Sequence, residues 1–270
     1  MPTTKDQYTR NQEIIRRRLE KAFIPKVYAA IRSQYQAAIE AVKAKGVQAA
    51  QGNIHGDVIN KELAPVIEEL YRVAASMALK KYKPNKKAFG SAPEFINAVI
   101  EYFRKFLLDK VVLPVSQTTI DDIEKILQDA LNSGWGVDRT VKELGNSEIP
   151  VWRAKLIVRT ESARATNFAQ MAAADQEDVE MEKMWIAIED NRTRKSHSHA
   201  GVDGQRVDID QPFSNGLMFP GDPNGSAAET CNCRCTMGYF AKRDANGNTI
   251  PKKSTALNLI SRMNLNQQAA

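Results

Sequence analysis

Glu182-Lys183-Met184-Trp185-Ile186-Ala187-Ile188-Glu189-Asp190-Asn191 is where this chain changes its period. Met184, Ile186 and Ile188 alternate with Trp185 and Ala187, the two-residue repeat of a strand, and Asp190-Asn191 marks the turn that ends it. Downstream, Arg206 to Ile209 and Thr236 to Phe240 read as further short strands around a Gly/Pro/Asn-rich stretch, Pro212 to Ser226. Upstream the repeat is helical throughout. The change predicts an α+β fold, mostly α: a long-helix N-terminal region followed by a small β-containing, loop-rich C-terminal module. A module with so little apolar mass gains from a staple, and zinc is the natural one.

Working back from the switch, Ile15, Leu19, Phe23, Val27, Ile31, Tyr35, Ile39 and Val42 form a helical stripe. Pro25 lies within it and is expected to kink or split the helix. Val58, Leu63, Val66, Ile67, Leu70, Val73 and Met77 make a second stripe, followed by a lysine-rich break. A third apolar segment, Phe95 to Val112, is expected to stop before Pro114. The fourth carries Ile120, Ile123, Ile126, Leu127 and Leu131, with Thr118 or Thr119 as its cap and Gly134 at its end. Asp138 then caps a short helix stopping at Gly145, and Ile149-Pro150 opens an alanine-rich helix running to about Asp178. The expected division is 1–148 helical, 149–245 the module with its connecting helix, and 246–270 a polar C-terminal tail.

At 270 residues and 43% hydrophobic, the chain has material for one large or two ordinary cores. A net charge of +6 and a pI near 9.1 are mildly basic, short of a dedicated nucleic-acid binder. The basic runs Arg16-Arg17-Arg18 and Lys80, Lys81, Lys83, Lys86, Lys87 are the candidate contacts for nucleic acid or an acidic partner. The polar start predicts no leader peptide, and no apolar run approaches the roughly 18 residues of a membrane span. No disulfide framework is readable in the closely spaced cysteines, which points to a reducing compartment and synthesis in a cytoplasm.

Five of the six histidines and cysteines fall within His197-Ser198-His199 and Cys231-Asn232-Cys233-Arg234-Cys235; the sixth is His55. Such donors suit a tetrahedral zinc. Cys233 and Cys235 reach one ion across a tight turn, and His197 approaches from the other side. The fourth ligand is His199 or Cys231: in an extended His-x-His both rings share a face, and by the same alternation Cys231, Cys233 and Cys235 share one too. Four protein ligands make a structural rather than a catalytic site.

Arg159-Thr160-Glu161 on a helix, Trp185 on a strand, Asp190 to His197, Gly204, Phe219-Pro220-Gly221-Asp222-Pro223 and Asn232-Cys233-Arg234-Cys235 follow one another in an order that resembles the phage Mu F-like head-morphogenesis proteins, the minor capsid or minor head proteins of tailed phages. The resemblance covers roughly residues 150 to 240. It implies a non-enzymatic virion component associated with portal protein or major capsid protein at the head interior, and linked to packaged DNA and its delivery. No small-molecule substrate is implied. Relatives often carry Cys-x-x-Cys where this chain has Arg194-Lys195-Ser196-His197, so only His197 matches that ligand pair. Arg159 and Glu161 are also the charges an ADP-ribosyltransferase would use. An ion pair or loop anchor is the simpler reading, shared by Arg164 and extended to Arg192 and Arg194.

The competing function is a metal-dependent nuclease or hydrolase using His197 and His199 with Asp203, Asp208 or Asp210. Three cysteines argue against it, because thiolates close a zinc site and suit hydrolytic magnesium poorly. No Gly-rich phosphate loop or Gly-x-Ser-x-Gly is present. The family's module is sometimes fused to toxin domains; the short stretch after Cys235 is not expected to hold one.

Overall fold

The computed structural model describes residues 4–81, 91–188, 199–252 and 259–260. Helices come first: α1 (Thr4–Lys45), α2 (Val47–Ala50), α3 (Asp57–Lys81), α4 (Ala92–Phe106), a π-helical turn (Leu107–Val112), α5 (Leu113–Asn132), α6 (Val137–Asn146) and α7 (Ile149–Ala174). Strands β1 (Met181–Ile186) and β2 (Arg206–Asp208), a short helix α8 (Ala227–Thr230) and strand β3 (Thr236–Ala241) complete the order. The fold is α+β, mostly α, with its strands confined to the C-terminal part.

Several details differ from the sequence reading. Pro25 does not split α1, which runs unbroken through it. The buried stripe continues on both sides of the proline, from Leu19 and Phe23 to Val27 and Ile31, and that packing outweighs one missing backbone bond. Nor does the third segment stop before Pro114. The chain widens into the π-helical turn at Leu107–Val112 and passes into α5, where Pro114 occupies the first turn. A proline is tolerated at such a junction because the wider turn already disrupts the regular ladder. Thr118 and Thr119 are therefore interior rather than capping; their hydroxyls donate back to Pro114 O at 2.8 Å and Val115 O at 2.7 Å.

The end of α5 follows the expected chemistry. Gly134 takes φ +64°, letting its amide reach Leu131 O at 3.2 Å and that of Trp135 reach Ala130 O at 2.8 Å. Helix α6 starts beyond Gly136 with Asp138 in its first turn, and α7 opens on Ile149-Pro150 and ends at Ala174, short of Asp178.

The chain forms two compact units, each assembled from separated segments. One unit joins Lys21–Glu68 with Arg104–Val158. Its core holds Phe23, Val27, Ile31, Tyr35, Leu63, Ile67, Val112, Ile123, Leu127 and Leu144, and Arg153 pairs with Asp122 at 2.8 Å.

The other unit joins Met1–Glu20, Glu69–Phe103 and Arg159–Ala270 and carries the motifs. Its sheet has the order β2-β1-β3, antiparallel throughout, with Lys183 opposite Val207 on one side and Tyr239 on the other. Lys183 and Trp185 point to the same face, and both are fully buried. Packed within this unit is the C-terminal part of α7, where every residue from Thr160 to Ala174 is buried. Small side chains (Ala163, Ala165, Ala169, Ala172, Ala173) let neighbours approach its backbone. Phe168 stacks on Tyr102 at 4.1 Å and meets Phe103 at 5.0 Å and Phe219 at 5.4 Å. The start of α1 joins the sheet through Tyr8, whose hydroxyl donates to Tyr239 O at 3.2 Å.

Candidate metal centre

The motifs converge on α7. Arg159 donates to Glu20 Oε1 at 3.2 Å and to Asn232 Oδ1 at 3.1 Å. The next residue, Thr160, accepts the backbone N–H of Asn232 at 2.8 Å. Arg164 Nη1 donates to both carboxylate oxygens of Glu161, at 2.8 and 2.9 Å, in an ion pair that is almost wholly enclosed. Tyr71 donates to Glu161 at 2.6 Å, and burial, with that carboxylate beside it, holds the Tyr71 hydroxyl well above its ordinary pKa so that it stays a donor. Arg164 Nε donates to Gly221 O at 2.8 Å, and Asn167 Nδ2 donates to both Pro220 O and Cys235 O at 3.1 Å. One helix thus grips the Phe219–Pro223 stretch and the Asn232–Cys235 turn together.

Gly221 shows why the first of those stretches needs a glycine. Its φ is +88°, and a Cβ there would lie 3.0 Å from Arg164 Cα. Asn232, at φ 57°, is the one non-glycine with positive φ among the described residues. Its backbone turns the chain back between Cys231 and Cys233, so the alternation expected across Cys231–Cys235 does not hold. Cys231 stays half-buried near the charge of Arg164, while Cys233 and Cys235 turn inward.

There His199 meets them. Its Nδ1 lies 3.6 Å from Cys233 Sγ and 3.6 Å from Cys235 Sγ, and the three donor atoms fall within 4.8 Å of one another. Zinc bonds of about 2.3 Å to sulfur and 2.0–2.1 Å to nitrogen at a tetrahedral angle separate the two donors by about 3.6 Å, so the spacing fits that ion. The His199 ring packs edge-on against Trp185 at 5.1 Å. Hydrogen bonding from Cys233 and then from His199 and the Ile188 backbone overcomes burial and lowers the Cys235 pKa to about 5, so a thiolate is available at neutral pH.

Of the sequence candidates, then, His199, Cys233 and Cys235 come together and Cys231 does not join them. His197, Arg192 and Arg194 lie outside the described residues, as do Lys83, Lys86, Lys87 and the side chain of Lys81. The carboxylates of the hydrolase reading are engaged elsewhere: Asp203 accepts the Ala187 amide at 2.8 Å, and Asp208 pairs with Lys242 at 2.8 Å. In the basic runs, Arg16 is bonded to Glu13 and Arg17 to Glu13, whereas Arg18 and Lys80 are exposed. Sequence reasoning passed over Tyr71, Asn167 and Lys183. Their signal is a polar group at an otherwise apolar interior position, legible only once the interior is known.

A buried helix thus clasps two motif loops against a three-stranded sheet, with two cysteine sulfurs and one imidazole gathered at its edge. Residues 121–238 match the family described as Phage Mu protein F like protein. The chain is 30% identical over 138 residues to Minor head protein GP7 of Bacillus phage SPP1, covering 49% of this chain and 44% of that protein. It is 27% identical over 127 residues to the uncharacterized protein YqbB of Bacillus subtilis (strain 168), covering 44% and 41%. A shorter likeness, 33% over 89 residues, joins it to NAD(+)--arginine ADP-ribosyltransferase EFV of Enterococcus faecalis (strain ATCC 700802 / V583), covering 31% of this chain and 18% of that one. The chain thus spans less than half the length of each of these relatives. No solved structure matches it.

Proposed function

We propose that this chain is a structural minor head protein of a tailed phage, made in the host cytoplasm and carried in the virion. It associates there with portal protein or the inner face of the major capsid protein, and acts in head assembly and in packaging and delivery of the genome. The observation that carries this reading is the family match over residues 121–238, joined to the likeness to a minor head protein over about half the chain.

The motif residues support a non-enzymatic role. Glu161, the carboxylate a transferase would need, is 4% exposed and bonded to Tyr71 and Arg164. Arg159 and Arg164 hold loops in place. Zinc, in this reading, is a structural staple held by His199, Cys233 and Cys235, with His197 completing the set. A closed site of this kind contributes folding energy and no reactive water.

The test of function is the position of the chain in intact particles. Density at the portal vertex or inner capsid wall supports the reading; absence from purified particles refutes it. For the staple, elemental analysis of purified protein should find close to one zinc per chain, falling in Cys233→Ser and His199→Ala. A zinc-free preparation that stays fully folded removes the metal. Contact with packaged DNA through Arg18 and Lys80 requires an affinity that falls steeply with salt; a salt-insensitive association argues for a protein partner instead.

A further inference from the structure

Lys183 is a cationic side chain with none of its surface open to water. It stands on the inner face of β1, and its Nζ donates to Met218 O at 2.8 Å. Its other contacts among the described residues are soft: Met171 Sδ from α7 at 3.7 Å and the Phe213 ring at 5.2 Å. An ammonium carries three donors, and among the described residues this chamber offers one oxygen within hydrogen-bonding distance. The carboxylate best placed to balance it, Asp222, is itself buried and already accepts the amides of Met218 at 2.9 Å and Asn224 at 2.9 Å. Asp210 acts on Lys183 through space, and from α7 Arg164, paired with Glu161, acts on Asp222.

The Met218 peptide is therefore held on both sides: its carbonyl by Lys183 and its N–H by Asp222. Both grips act on the 213–224 stretch, one from β1 and one from within it, and the stretch also lays Pro220 O and Gly221 O on α7. With one oxygen acceptor, a thioether and a phenyl face around it, the chamber satisfies an amine and leaves an ammonium short of partners.

We propose that residues 213–224 form a flap that closes over the neutral amine of Lys183 and is loosened when that amine takes a proton. Opening the flap returns Lys183 to water, where it holds its proton to higher pH; burial lowers it from 10.5 to about 7 in the closed state. Between those values the open form binds one proton more than the closed form. The opening constant accordingly falls about tenfold for each unit that pH rises in this window, and levels off below it.

Hydrogen–deuterium exchange on the full chain, corrected for intrinsic rates, measures that constant at the amides of Leu217, Met218 and Asn224. From pH 7.5 to 9.5 the protein should lose about tenfold in opening per unit, while Lys183→Met stays flat. Equal slopes in the two proteins, or no slope in the parent, overturn the proposal. Should the variant fail to fold, the ¹³Cε resonance of Lys183 in the parent decides alone. A titration near neutral pH supports the flap, and an ammonium signal unchanged to pH 9 overturns it.

Discussion

Replacing Arg164 by alanine tests the packing of the motif unit most directly. Arg164 supplies two bonds to Glu161 and one to Gly221 O, with side-chain exposures of 6% and 5% for the ion pair. Alanine leaves the Glu161 carboxylate with the Tyr71 hydroxyl as its donor, buried and without the Arg164 countercharge. Removing one partner of such a pair costs about 3–5 kcal/mol. The freed Gly221 carbonyl adds to this, though not independently, because both losses belong to one network. Urea unfolding followed by tryptophan fluorescence and circular dichroism should show that loss. In the double variant Arg164→Met with Glu161→Gln, the buried charge is gone and Tyr71 keeps an amide oxygen to donate to, so most of the stability should return. A loss below about 1 kcal/mol for the single variant refutes the reasoning, as does a double variant no more stable than the single one.

Gly221→Ala forces a side chain into left-handed backbone and against Arg164 Cα; a cost of at least about 1–2 kcal/mol should appear as a melting temperature lowered by several degrees. Phe168→Ala removes the ring shared by Tyr102, Phe103 and Phe219 and should cost about 3–5 kcal/mol in the same urea assay. For pH, Lys183 binds a proton more readily unfolded, at 10.5, than folded, at about 7, so its contribution to stability rises with pH across that window. Comparing urea midpoints of the parent and Lys183→Met from pH 7 to 10 isolates it; a difference that does not change with pH excludes it.

Much of this fold was legible because its signals are local. Helical stripes, the switch of period at Glu182 and the glycine after α5 each follow from neighbouring residues. The failures share a cause too. The π-helical turn before Pro114 depends on the packing of Leu107, Val111 and Val112, which no local rule encodes. The expected equivalence of Cys231 with Cys233 and Cys235 assumed an extended backbone. Asn232 departs from it in a conformation stabilised by Thr160, 72 residues away in sequence. Lys183 reads as an ordinary strand lysine until β1 is seen to carry it inward. The metal candidates were readable as residue types, whereas the choice among them belonged to one backbone angle.

Helix α7 is enclosed on all sides from Thr160 to its end at Ala174, and part of what encloses it comes from distant chain: Tyr71, Tyr102 and Phe103, together with Gln12. The stretch shared with the family, 121–238, contains none of those four and divides at Val158 between the two compact units. The stretch that matches the family model therefore leaves out side chains that enclose its own central helix. Expressed alone, residues 121–238 would present an unsheathed alanine-rich helix with a buried ion pair laid open. The helical N-terminal chain is in this sense the module's missing wall, and a transplant of the module into another protein must bring its own.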